Sequence, residues 1–202
     1  MKMQILALSA LLCSAAIPAA YAQEAPMPKP TVPAEAETVP ATDADTGNAE
    51  NLSPAVAGAA VYANNAAYAD MYEIESANLA WKRANSEEVK TFAKMLIADH
   101  TGSSAKLAVL VDHAEGELPS SLDDKHRKMI DELEAADDGA FTQLFLDQQM
   151  MAHEAAVKLH TDYAETGEIA EFKMFAADNA KVVQHHLDMV SKLGGKKAAS
   201  AQ

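Results

Sequence analysis

The chain has 202 residues, is 49% hydrophobic but only 5% aromatic, and carries one cysteine and a formal net charge of −14. That excess of acid speaks against nucleic acid and anionic lipid surfaces as partners and favours cations or cationic partners, with solubility as the plainer reading. A single cysteine rules out an intramolecular disulfide framework.

The first residues, MKMQ followed by ILALSALLCSAAIPAA and AYA, read as a secretory signal peptide cut after Ala22. Its apolar core is too short and too rich in alanine for a membrane span, and no later stretch supplies about 20 apolar residues. Export to the periplasm, with or without association with the cell surface, is therefore expected, and the mature chain should have no transmembrane span. Cys13 leaves with the signal, and Leu12 stands before it where a lipoprotein signal needs a small residue. The mature chain then has no thiol for catalysis or metal ligation, and loss of Lys2 takes its charge to −15.

Residues 23–52 are dominated by Pro, Ala, Thr and acid, with Met27, Val32 and Val39 almost the only apolar side chains before Leu52. Too little apolar area is available there to offset chain entropy, so the segment is expected to be a disordered tether or solubilising leader. Residues 53–193 have an all-helical composition, rich in Ala, Leu, Met, Glu and Lys.

Ser53-Pro54 predicts an N-cap with proline at the first helical position, opening an Ala-rich helix that runs to about Ala84. Asn85 with Glu88 suggests a capping box for a second helix, from about Ser86 to Ala114, stopped by Gly116 and Pro119. The crossover SLDDKHRKMIDELEAADDG spaces Leu122, Met129, Ile130 and Leu133 for one short helix. Two more helices, from about Ala140 to Glu165 and from about Glu168 to Leu193, are separated by Thr166-Gly167, and residues 194–202 form a polar tail. Two helical hairpins joined by a long crossover containing a short helix make an all-α, ferritin-like four-helix bundle.

Polar residues interrupt the apolar stripes at three- and four-residue spacing. The first helix gives Tyr68, Met71, Glu75 and Leu79, and the second Val89, Phe92, Leu96, His100 and Leu107. The third long helix gives Leu146, Met150, His153, Val157 and His160, and the last Phe172, Phe175, Asn179, Val183, His186, Val190 and Leu193. Each helix thus aims a potential metal ligand inward, which is how bundles build metal sites. His100 and His153 fall near mid-height, whereas His186 and Glu75 are offset from their hairpin partners by roughly 6 to 8 Å at 1.5 Å per residue.

The primary ligand set is therefore Glu75, His100, His153 and His186, for a divalent transition metal or copper. Glu73, Asp99, Met150 and His160 are further candidates, as ligands or as supports for them. No histidine has Glu three positions before it, which disfavours an oxidising di-iron site. Met150 one turn before His153 would suit copper, and Met71, Met95 and Met151 offer more sulfur, although methionine also simply fills cores. The alternative is that the three histidines hydrogen-bond to Glu75, Asp99, Asp147 or backbone and only fix helix register, in a structural module that engages an envelope protein partner. Common nucleophilic and phosphoryl-transfer machinery is not visible, and Asp123-Asp124 and Asp137-Asp138 are explained by capping.

The segments YEIESANLAWKRANSEEVKTFAKMLIADHTGSSAKL, FTQLFLDQQMMAHEAAVKLH and EFKMFAADNAKVVQHHLDMV resemble the exported bacterial family known as domain of unknown function 4142, grouped with ferritin-like folds. The likeness runs from about Ala59 to Leu193. It lies in Glu73 and Glu75, in Asp99-His100-Thr101, in His153-Glu154 and in His186-Leu187. Ala77 replaces the family's usual glycine, and the last helix lacks its common proline. FLDQQMMAHEAA is also similar to the FLxxMxxHHxxA text of another exported, His- and Met-rich helical family, but Glu154 stands where the second histidine would be. The resemblance implies the fold and export, and it carries no reaction.

Overall fold

A computed structural model describes residues 53–200, apart from residue 115 and the side chains of 195–200. The expected signal peptide (1–22) and linker (23–52) lie outside the described residues, as does the end of the expected tail.

Five helices form: α1 (Pro54–Arg83), α2 (Glu87–His113), α3 (Asp124–Ala135), α4 (Asp138–Thr166) and α5 (Ala170–Ser200). The fold is all-α, with no strand among the described residues. α1 packs on α2 and α4 on α5, while α1 also meets α4 and α2 meets α5. The result is a square of four long helices made from two hairpins, with α3 lying in the crossover against α1 and α4. None of these helices is long and apolar enough to cross a membrane.

Local chemistry sets the helix ends. Ser53 accepts from the Val56 amide with Pro54 at the first helical position, as the sequence implies. The second helix is capped by Ser86, which accepts from the Val89 amide, and not by Asn85; a serine hydroxyl one residue later serves the same orphan donors. Asp123 and Asp137 cap α3 and α4. α5 continues to Ser200, past the expected end at about Leu193 and into the expected polar tail, because the residues after Gly194-Gly195 are Ala and Lys, which favour helix.

Arg83 fastens the crossover. One guanidinium nitrogen donates to the Leu133 and Glu134 carbonyls, the other to the Ala136 carbonyl and the Asp138 carboxylate, and the group lies 4.3 Å from the Phe141 ring centre. It thereby satisfies carbonyls left open at the end of α3. A more exposed pair, Arg127 with both oxygens of Glu75, ties α3 to α1.

The core is two apolar clusters with a polar layer between them. One end packs Tyr72, Phe92, Leu96, Ile130, Phe141 and Phe145. The other packs Ala59, Tyr62, Ala66, Leu107, Phe172 and Phe175. Each wholly buried aromatic side chain contributes about 2–3 kcal/mol by leaving water, so the ends hold the bundle shut while its middle is left to polar groups.

Candidate metal centre

α1 is built on a seam stepping by four and three residues: Ala59, Ala63, Ala66, Asp70, Glu73, Ala77, Ala80 and the cap Ala84, all buried. Alanine lets neighbouring helices approach closely, and only Asp70 and Glu73 break the run. α2 has the same rhythm through Val89, Ala93, Leu96, His100, Ser103 and Leu107. Asp70 lies 13 residues before the end of α1 and His100 lies 13 after the start of α2, so the hairpin sets them level.

His100, His153 and His186, from α2, α4 and α5, converge there. One ring nitrogen from each lies within 4.8 Å of the other two. The three residues are 5%, 1% and 0% exposed, with ring centroids 5.3–5.9 Å apart. The height offset of His186 counted from helix ends proves small. His153 is 13 residues from the end of α4 and His186 is 16 from the start of α5, a difference of about 4.5 Å that two side chains reaching across the bundle span.

In each ring one nitrogen has a hydrogen-bond partner and the other has none. His100 Nδ1 pairs with Asp70 Oδ1 at 2.7 Å, His153 Nδ1 with the Gln149 carbonyl at 2.9 Å, and His186 Nε2 with Asp99 Oδ2 at 3.0 Å. These partners are carbonyl or carboxylate acceptors, so in the neutral ring the bonded nitrogen carries the hydrogen. The other nitrogen then holds a bare lone pair. Among the described residues, His100 Nε2, His153 Nε2 and His186 Nδ1 are the buried side-chain nitrogens without a hydrogen-bond partner. Carboxylate or carbonyl on one side and an empty lone pair on the other is the arrangement of metal-binding imidazoles. A buried polar group left unpaired costs about 1–3 kcal/mol, so three such nitrogens on neighbouring rings are a cost that the fold carries at this level.

Burial acts against charge on these rings. It pushes His153 down to about 3, with the neighbouring His100 adding to the effect, and it lowers His186 as well. At His100 burial again opposes the charged form, but the Asp70 hydrogen bond and the charges of Glu73, Asp70 and Asp99 outweigh it and raise the ring. A cation would replace that proton, since a ligating imidazole must be neutral. Two neutral imidazoles and three surrounding acids therefore suit an incoming positive ion.

The structure corrects the choice of Glu75 as carboxylate ligand. Glu75 is on the outer side of α1, paired with Arg127, and lies off the alanine seam. Glu73 is the glutamate that turns inward, 3% exposed, with Oε1 3.7 Å from His153 Nδ1. That nitrogen already donates to Gln149, so Glu73 stands beside the triad and outside its converging nitrogens. Burial raises Glu73 to about 7, opposed by His100, and its Oε2 has no partner.

Asp99 supports His186 directly. Met150 packs against the larger apolar cluster, and Met151 points outward at 58% exposure. His160 is buried two turns beyond His153 and is hydrogen-bonded to the Tyr62 hydroxyl at 2.9 Å, in an aromatic group with Tyr163 and Phe175. His126 is only part-buried and bonds to Asp123, while His113 and His185 are exposed.

Sequence reasoning missed Asp70 and the glutamine pair that braces this level. Gln149 donates to the Ser76 hydroxyl, Ser76 donates to the Glu73 carbonyl, and Gln148 accepts from Tyr72 while donating to the Met129 carbonyl and Glu132. The usable signal was the alanine seam of α1, which only acids interrupt.

The sequence profile of the family described as Domain of unknown function (DUF4142) matches residues 41–193. The match begins in the expected linker, upstream of the Ala59 start read from the sequence. No curated protein and no solved structure matches the chain.

Proposed function

The chain belongs to the DUF4142 family, and since that membership prescribes no activity we propose from the chain's own geometry that it is an exported protein holding one transition-metal ion between His100, His153 and His186, in metal handling or stress tolerance of the cell envelope. The observation that carries this reading is the set of three buried, partnerless ring nitrogens whose opposite nitrogens are bonded to Asp70, Asp99 and a carbonyl. Three imidazoles suit zinc, copper, nickel or iron(II), and leave a fourth position open for water or another ligand.

A metal–nitrogen distance of about 2.0–2.1 Å needs nitrogens roughly 3.3 Å apart in a tetrahedral site, so binding would draw the rings inward. The neutral triad supplies no charge of its own, and Asp70, Asp99 and Glu73 supply the compensating field. Periplasmic location is supported by the signal-like first 22 residues.

The test is metal content and thermal unfolding of the untagged chain from Gln23, with zinc, copper, manganese or iron(II) added, beside His153→Ala. Near-stoichiometric metal with a stabilisation that needs His153 is the expected result. No uptake of any of the four would reject the reading and leave a structural or partner-binding bundle.

A further inference from the structure

A crevice of about 360 Å³ opens on the surface between α1, the start of α3 and α4. Tyr72, Met129, Met151 and Ala155 form part of its walls, Lys125 stands on α3 at its rim, and Glu73 also lines it. Glu73 thus belongs both to this crevice and to the polar neighbourhood of His153. Its Oε2 is buried and without a partner.

We propose that this crevice is the port by which a divalent cation reaches the histidine triad, with Glu73 passing the ion from the crevice to the rings. The proposal rests on the metal-binding reading above and adds the route and the residue that serves it. The triad itself is closed to solvent, at 5% exposure or less for each residue, so an ion needs an opening between helices. The crevice provides one, and the carboxyl group of Glu73 is part of its lining. Glu73 can turn its partnerless oxygen to a cation arriving between α1 and α4, in place of the water lost from the ion's shell. The thioethers of Met129 and Met151 are further weak donors along the wall. Lys125 is the unfavourable charge on this path, and it regulates how fast cations enter.

The competing route is on the opposite side, where Asp99 is half-exposed beside His186. Zinc loading kinetics of the chain from Gln23, followed by competition with a chromophoric indicator, distinguish the two. Ala155→Trp fills the crevice from an exposed position and should slow loading while leaving the final zinc stoichiometry unchanged. Glu154→Trp, on an exposed neighbour not lining the crevice, should load as wild type. Lys125→Glu places an acid in the first turn of α3, where acids favour the helix. It should speed loading by roughly tenfold at low ionic strength, with the gain fading as salt is added. A melting temperature of the metal-free Lys125→Glu protein equal to wild type, together with loss of the gain in high salt, separates an electrostatic effect at the port from a loosened bundle that simply opens more often. Wild-type rates in both Ala155→Trp and Lys125→Glu would overturn the port while leaving the metal site intact. A wild-type protein that takes up no zinc would instead overturn the metal reading and the port together.

Discussion

The triad and His160 are both buried histidine sites in one bundle, yet they are built in opposite ways. His160 meets the Tyr62 hydroxyl and sits among rings, a polar side chain fitted into an aromatic cluster. His100, His153 and His186 each spend one nitrogen on an acceptor and leave the other without a partner, on rings whose centroids lie 5.3–5.9 Å apart. Burial is shared by the two sites, so burial does not mark a ligand. Unspent lone pairs on clustered rings do.

The largest expected effect separates the two sites outright. His153→Ala should abolish stoichiometric metal uptake, and His160→Gln should leave it intact, as measured by metal analysis after dialysis. Uptake that needs His160 and not His153 would reverse the assignment.

The apolar end gives the next effect. Phe145→Ala should cost about 3–5 kcal/mol in urea unfolding, since Phe145 is wholly buried between Phe141 and its neighbours. That change should lower the stability of the metal-free and metal-loaded protein alike, because the clusters and the polar layer are separate regions.

His160 sharpens the comparison through pH. Burial lowers its pKa from 6.5 to about 4, with His100 lowering it further and Asp70 opposing. Between these values the unfolded chain holds a proton that the folded chain refuses, so stability rises with pH across this window. The contribution is full above pH 6.5 and is lost as pH falls through 6.5 to 4; it amounts to roughly 3 kcal/mol. Urea unfolding at pH 7, 5.5 and 4 should show that acid loss reduced by about this amount in His160→Gln. An unchanged acid slope would mean that other groups carry it.

The smallest effect concerns the supports. Asp99→Asn keeps the shape but weakens the acceptor on His186 Nε2, and should lower metal affinity by about 10–100-fold with little change in folding. An unaltered affinity would remove Asp99 from the site.

The histidines were legible because large apolar residues frame them: Leu96 and Leu107 around His100, Leu146 and Val157 around His153, Val183 and Val190 around His186. α1 hid its inward face for the converse reason. Following bulky residues through Tyr68, Met71 and Leu79 led to Glu75, while the buried seam is alanine and its acids are Asp70 and Glu73. Close packing favours the small side chain, so hydrophobic size misleads on the very face where helices approach most closely. The crevice was not legible at all, since it arises where α3 crosses α1 and α4, and spacing within single helices says nothing of that.

The most direct measurement is zinc content and melting temperature of the untagged chain from Gln23, wild type beside His153→Ala, prepared and dialysed together. A converging histidine triad predicts close to one zinc per wild-type chain, a melting temperature that rises with zinc, and neither in the variant. A wild-type chain that stays metal-free, melting at the same temperature with and without zinc, would contradict it.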